Sequence, residues 1–246
     1  MRTEFVPDPA ASRAEMTAQQ RDIADAATFA DDFAFDCDAV GTDTGPLVAG
    51  VDQAFLDDRA VSAIVVTRGD SVVERAHAVS PLSIPYIPGL LSFREGNPIL
   101  AAFEELETEP DCVLFDGSGR IHFRQAGLAT HIGVVLDIPS VGVAKNLLCG
   151  TPEASTDGLR AGERVGIDAD GDVDAPAGTR IGYAVQTKQY DSPNRHVNPL
   201  YVSPGHRVSA ETAADWTLAT SAGYKLPEPT RLADAHAADV KRTIDT

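Results

Sequence analysis

Three carboxylates stand where an ionised side chain is costly. Asp52 interrupts the apolar run Leu47–Phe55 (LVAGVDQAF), Asp116 ends the apolar run Cys112–Phe115, and Glu95 closes the loop-like segment Pro81–Glu95. A buried acid is unfavourable unless it is paired or binds a metal. For any one of the three, a local salt bridge or helix cap is a sufficient account. Together they make an oxygen-only donor set, which suits Mg²⁺ or Mn²⁺. A cation held there would polarise a phosphate, activate water and stabilise a leaving oxygen. Lys145, at the end of the run Val141–Ala144, adds a positive charge to the group.

These residues are useful only if the fold brings them together, and the element order says that it does. Cys112–Phe115 reads as a short buried strand delivering Asp116 at its tip, followed by Gly117-Ser118-Gly119. Leu128, Ile132, Val135 and Leu136 fall on one face of a helix that Pro139 stops, and the next strand carries Lys145. Such a strand–helix–strand unit predicts parallel neighbours with a right-handed crossover, and functional groups gathered at their carboxyl ends. Upstream, Leu47–Phe55, Val61–Thr67 and Ser71–Val79 are three β-rich segments, the last two joined by a hairpin turn at Arg68-Gly69-Asp70. Asn97-Pro98 offers an N-cap and first-turn proline for a helix ending near Glu107, with Glu95 just before it. The predicted class is therefore α/β with a ribonuclease H-like fold. It has a mixed sheet of three antiparallel strands followed by parallel strands, with helices on both faces. In that order the first and fourth strands are neighbours, which sets Asp52 beside Asp116.

The rest of the chain carries less chemistry. Residues 1–46 form an N-terminal helical extension, with a capping box at Thr17 and Gln20 and a helix to about Ala30. Residues 47–208 form the catalytic core. Residues 209–246 add a helix capped by Ser209, running to about Ala222, and another over roughly Thr230–Ile244; the whole 1–246 reads as a single domain. Asp168, Asp170, Asp172 and Asp174 do not make a calcium loop, because Val173 and Thr179 stand where the EF-hand needs Gly and Glu; an acidic hairpin around Asp170-Gly171 accounts for them. Arg180–Thr187 and Pro199–Val202 read as further strands. Cys37, Cys112 and Cys149 form no CxxC and fit incidental thiols of a cytoplasmic protein. No apolar run is long enough to cross a bilayer, and the N-terminus lacks the pattern of a signal peptide. A net charge of −17 argues against a generic nucleic-acid coat. With only four lysines among 20 basic residues, the composition fits a salt-loving cytoplasm.

One segment breaks the pattern. In Pro81–Glu95 (PLSIPYIPGLLSFRE), Pro85 and Pro88 stiffen the backbone around Tyr86. A rigidly held aromatic can serve as a wedge against bases or as a packed corner. With this loop in view, GVDQAF, PYIPGLLSFRE, FDGSGRIHFRQAGLATHIGVVLDIPSVGVAK and SPGHRV resemble, in order and spacing, the endonuclease V family of deoxyinosine 3′-endonucleases, over about Leu47–Val208.

The resemblance implies a metal-dependent DNA-repair endonuclease that nicks at the second phosphodiester bond 3′ of deoxyinosine, with Mg²⁺ or Mn²⁺ as cofactor. It implies catalytic roles for Asp52, Glu95 and Asp116 as metal ligands, and for His206 in SPGHRV. It sets His122 and Lys145 near the scissile phosphate. Tyr86, within Pro85, Ile87 and Pro88, becomes the wedge that fills the gap left by the extruded base, and the base meets main-chain groups around Gly89, Leu91 and Gly117. Ser118 departs from a form with histidine at that position, and Gln53 and Gln125 occupy variable slots. His131, in an apolar helix, reads as a core histidine; His77, His196 and His236 have no functional case. The expected partner is inosine-containing DNA, met by a monomer with no membrane association. The alternatives are the same cut in inosine-containing RNA, and an inactive lesion-binding module, against which the intact carboxylates speak.

Overall fold

The structure, a computed structural model, describes residues 1–189 and 197–244, so His196 lies outside the described residues. Helix α1 (Arg13–Ala26) starts six residues after Pro7. Strands β1 (Val48–Phe55), β2 (Arg59–Arg68) and β3 (Ser71–Pro81) form an antiparallel meander. Helix α2 (Leu91–Glu104), β4 (Cys112–Asp116), α3 (Leu128–Leu136) and β5 (Ser140–Ala144) follow. The chain then forms β6 (Thr151–Pro152), β7 (Arg164–Asp168), β8 (Arg180–Val185) and β9 (Leu200–His206), and ends in α4 (Ala210–Ala219) and α5 (Glu228–Ile244).

The nine strands of the described residues lie in one sheet of order β3-β2-β1-β4-β5-β9-β8-β7-β6. The first and fourth strands are parallel neighbours, as the element order predicts. Parallel pairing is confined to β1–β4–β5; β9 joins β5 antiparallel, and the remaining pairs are antiparallel. The alternation of side chains along each strand divides the core between two faces. Val113 and Phe115 of β4 pack with Ile99, Leu100 and Ile132 of α2 and α3. Cys112 and Leu114 of the same strand pack on the other face with Trp216 of α4. Helix α5 covers β1 and β2 on that second face, where Ala237 meets Val61 and Ala63. Gly50 marks the close approach: a Cβ there would lie 2.0 Å from the Pro229 main chain.

Two helix starts differ from the sequence reading. Helix α1 is capped by Ser12, whose hydroxyl accepts from Glu15 N–H while the Glu15 carboxylate accepts from Ser12 N–H. The same four-residue pattern at Thr17 and Gln20 falls inside the helix, and Gln20 is drawn into the core instead. Helix α2 starts at Leu91 and carries Pro98 in its interior. Asn97 does not cap it, because its side-chain amide donates to the Pro7 carbonyl at 2.9 Å. The helix continues through Pro98 at the cost of one backbone hydrogen bond, and Glu95 consequently lies within α2 rather than before it.

Candidate metal and nucleic-acid site

The β1–β4 register pairs Val51 with Phe115, so the next residues, Asp52 and Asp116, stand side by side at the sheet's carboxyl edge. By strand alternation both lie on the face that α5 covers. Glu95 reaches the same edge from α2 on the other face, and the Gln53 amide donates to the Glu95 carbonyl at 3.3 Å, tying that helix to β1. Lys145, just beyond β5, donates from Nζ to Asp116 Oδ2 at 2.6 Å. These four line a cavity of about 240 Å³ together with Asp234 of α5.

Asp234 is the residue that the sequence reading missed. Its charge acts on both Asp52 and Lys145. The available signal was indirect: a carboxylate one position after buried Ala233, on a helix whose proline presses against a strand glycine.

The electrostatics mark this cluster as short of positive charge. Burial, then the Asp116 charge, pushes the Asp52 carboxyl up to about 8. Burial also pushes Glu95 up to about 7, with Arg94 opposing and Asp116 adding to the rise. Burial works against the Lys145 ammonium, but its hydrogen bond to Asp116 and the charges of Asp116, Asp52 and Asp234 outweigh it and hold its pKa above the ordinary value. Gln53 Oε1, in the same lining, is buried without a hydrogen-bond partner. Oxygen-only donors that repel one another fit a hard divalent cation. Among the described residues, no three side chains already converge on a single ion position. The fit is therefore one of donor chemistry and charge, reached by side-chain rotation and by release of Asp116 from Lys145.

A second cavity, of about 320 Å³, adjoins the first and shares Asp116, Leu128 and Lys145 with it. Tyr86, Gly89, Leu91, Gly117 and Ser118 line it. The loop that carries Tyr86 is held by its neighbours. Ile84 and Ile87 pack against Met16, Leu90 and Phe93, and Arg94 Nη1 donates to the Ile84 carbonyl at 2.6 Å. Leu90 N–H closes a turn onto Ile87 C=O at 3.0 Å, with Pro88 and Gly89 (φ +77°) at its centre, the type II arrangement. Tyr86 itself is 65% exposed, so its ring is not a packed corner. The Gly117–Gly119 turn passes so near β9 that a Cβ on Gly119 would lie 2.4 Å from the Pro204 carbonyl oxygen. Ser203 Oγ accepts from Gly119 N–H at 2.9 Å and fixes that turn.

One histidine falls elsewhere than expected, and a second lines the same cavity as Lys145. His206 lies at the opposite end of the sheet from the carboxylates: β9 runs antiparallel to β5, and His206 pairs with Ser140, the first residue of β5. Four residues of strand, roughly 13 Å, separate it from the Lys145 end. Thr28 N–H donates to its Nδ1 at 3.1 Å, so Nε2 carries the proton and donates to Asp137 Oδ1 at 3.1 Å. The SPGHRV segment serves the active edge through Ser203 rather than through His206. His122 lines the base cavity and is likewise engaged at both nitrogens: Arg124 N–H donates to Nδ1, and Nε2 donates to the Gly89 carbonyl at 3.2 Å. Burial, with help from Arg124, pushes its pKa down to about 4, which keeps it neutral. His131 is wholly buried, with Nε2 at 2.7 Å from the Phe5 carbonyl, as a core histidine should be. A larger cavity, of about 890 Å³, opens at the far end of the sheet beside Asp111, Asp137 and Arg207, and no carboxylate of the cluster lines it.

A family model described as Endonuclease V matches residues 37–235. The chain is 61% identical to an Endonuclease V of the halophilic archaeon Haloarcula marismortui over 266 aligned positions, covering 100% of this chain and 98% of that one. It is similar to the crystal structure of Endonuclease V from Streptomyces avermitilis, at 34% identity and a TM-score of 0.80, with 96% of each chain covered. A Ciona intestinalis Endonuclease V, solved in complex with a 24mer DNA containing an inosine followed by a ribo-adenosine, matches at 26% identity and a TM-score of 0.74, covering 94% of this chain and 98% of that one. Among the described residues no helix is long and apolar enough to cross a membrane.

Proposed function

The chain belongs to the endonuclease V family and is an endonuclease that hydrolyses phosphodiester bonds in DNA; on that premise we propose how its two adjoining cavities divide the work. The smaller, acidic cavity cuts the strand at the second phosphodiester bond 3′ of deoxyinosine, and the larger one receives the extruded base. The observation that carries this reading is the wall they share: Asp116 and Lys145 face both, so a base in one brings a nearby phosphate to the other.

Members of this family depend on a divalent cation. In this chain Asp52, Glu95, Asp116 and Asp234 would hold it, and Mg²⁺ or Mn²⁺ suits their oxygen donors. When bound, such a cation offsets the charge of the phosphate and of the leaving oxygen. The protein's own groups do the rest. Lys145, once released from Asp116, orients a phosphate by charge and hydrogen bond. Tyr86 stacks in the gap left by the extruded nucleotide. His122, neutral and doubly bonded, supports the base cavity rather than transferring a proton. The N-terminal extension, core and C-terminal helices act as one unit, since α1 and α5 each supply a wall of the site. The enzyme works as a monomer in the cytoplasm.

The test uses end-labelled duplexes differing by one inosine, with excess Mg²⁺ or excess chelator. Nicking two bonds 3′ of inosine, absent in chelator and absent on the adenine control, is the expected result. Metal-independent or lesion-independent cutting would refute the reading. A matched RNA strand distinguishes the riboinosine alternative.

A further inference from the structure

The chain has four lysines, and three of them gather at one end of the sheet. Lys145 directly follows β5. Ala144 of β5 pairs with Tyr201 of β9, and Tyr201 with Ala184 of β8, so β5 and β8 end level with each other. Lys188 comes three residues after Val185, the last residue of β8. Lys225, between α4 and α5, is brought to the same place by Thr187, whose hydroxyl donates to the Lys225 carbonyl at 2.6 Å. Burial, then the charge of Lys145, holds the Lys225 pKa below its ordinary value, which puts the two ammonium groups within electrostatic reach of each other. Among the described residues no carboxylate pairs with Lys225. Like charges held together are unfavourable until an anion joins them, and this chain, at −17, has acids to spare for neutralising them elsewhere. The segment that carries Lys225 is held in place. Tyr224 N–H donates to Ser221 C=O and Glu228 N–H to Thr220 C=O, both at 2.7 Å. The Tyr224 ring is 47% exposed, with Lys188 Nζ at 5.7 Å and Arg231 Cζ at 4.4 Å from its centroid. Leu226 packs with Val185, Leu200 and Trp216, which sets Lys225 on the α4 and α5 side of the sheet. The cavity beside Tyr86 lies on the other side, where Leu128 packs with Val113 and Phe115.

We propose that Lys225, with Lys188 beside it, binds the phosphate backbone of the cut strand on the 3′ side of the nick, and so sets how much 3′ flank the enzyme needs. The inference rests on the inosine-nicking reading, which places the base on the α3 side and the scissile bond at the edge between the two sides. A strand that continues 3′ past Asp116 and Lys145 then leaves over the α4 and α5 side, where Lys225 stands. Two strand spacings separate β5 from β8, roughly 10 Å, or about three nucleotides at a rise of 3.4 Å each. The contact therefore falls roughly three nucleotides beyond the cut. Lysine meets a phosphate as a compact charge with rotatable donors, so this surface fixes the strand's course and reads no base. The anion also offsets the repulsion between Lys225 and Lys145.

The test nicks inosine duplexes with a long 3′ arm, or with one ending about one nucleotide past the scissile bond, the complement kept at full length. The full chain is compared with Lys225→Gln, Lys225→Arg and Lys188→Gln, with KM and kcat taken separately and folding followed by circular dichroism. For the parent, shortening the 3′ arm should raise KM roughly threefold to tenfold with little change in kcat. Lys225→Gln should show a rise of that size on the long arm, and its deficit should largely close on the short one. Lys225→Arg, which keeps the charge, should restore the parent's KM. Shortening the 5′ arm instead should leave the Lys225→Gln deficit in place. Lys188→Gln should follow the pattern of Lys225→Gln, and it carries the test if the latter does not fold. A parent indifferent to the length of the 3′ arm overturns the proposal and leaves the nuclease reading intact. So does a Lys225→Gln deficit that is equal on both arms or confined to kcat, since the lysine would then act only through Lys145. A parent that leaves both inosine duplexes uncut overturns the inosine reading, and this proposal with it.

Discussion

Replacing Asp52 by asparagine should stabilise the protein in chelator while destroying its response to metal. Asparagine keeps the shape and still accepts from Gln53 N–H, a contact of 2.7 Å in the structure. It removes one of the charges that burial and Asp116 make unfavourable. An acid whose folded pKa lies above its unfolded value favours folding most below the unfolded value, and loses that contribution as pH rises through the folded one. Here the window runs from 3.8 to about 8. A lone group shifted so far would cost on the order of 4 kcal/mol at neutral pH. Burial is the largest cause of that shift, and the asparagine amide meets part of the same desolvation, so the expected gain for Asp52→Asn is about 2 kcal/mol. For a chain of this size that is about 4–8 °C in melting temperature. Calorimetry in excess EDTA and molar KCl should show the gain near pH ~8.5 and only a fraction of it near pH ~4.5. Addition of Mn²⁺ should then raise the melting temperature of the unmodified protein well above that of the variant. A variant that is less stable than its parent at the higher pH in chelator, or equally stabilised by Mn²⁺, would refute the carboxylate account.

Other consequences are simpler to read. Asp234→Asn should raise the Mn²⁺ concentration needed for half-maximal nicking by roughly tenfold or more, measured by metal titration, because it removes a charge that acts on Asp52 and Lys145. Tyr86→Ala should cost about 1–3 kcal/mol in binding inosine-containing DNA and little on undamaged DNA, since its ring is exposed and packs no core; gel-shift titrations of both strands would show it. With a net charge of −17, lesion-specific nicking and helical signal should persist from ~0.1 M into molar KCl, where the Debye length falls to roughly 3 Å. A protein fastest in dilute salt and steadily slower above it would contradict that expectation.

What was legible in the sequence follows from which signals are local. The apolar runs ending in Asp116 and interrupted by Asp52 encode their own placement, because a strand's register carries its side chains with it. The hairpin at Gly69, with φ of +54°, and the α3 stop before Pro139 were equally local. Signals that depend on a distant partner were not. Asn97-Pro98 looks like a helix start until Pro7 claims the asparagine, and Thr17-x-x-Gln20 looks like a cap until Gly89 and Arg124 claim the glutamine. Asp234 sits on a polar terminal helix whose relation to β1 appears only when Gly50 meets Pro229. His206 misled because its motif does serve the site, through Ser203, while the antiparallel course of β9 carries the histidine away.

The most direct measurement compares Asp116→Asn with His206→Asn in one nicking assay at saturating Mg²⁺, under conditions where both are folded. Asp116 lies where the acidic and base cavities meet, and His206 lies at the other end of the sheet, held between Thr28 and Asp137. Asparagine at 206 can still accept from Thr28 N–H, so its fold should survive. Asp116→Asn should lose on the order of 10³-fold in rate, as removal of a group central to charge stabilisation does, and His206→Asn should stay within about threefold of the parent, as an effect below ~1 kcal/mol implies. Full activity without the Asp116 carboxylate, or collapse on replacing His206 in a folded protein, would contradict the placement of the active centre at the tips of β1 and β4.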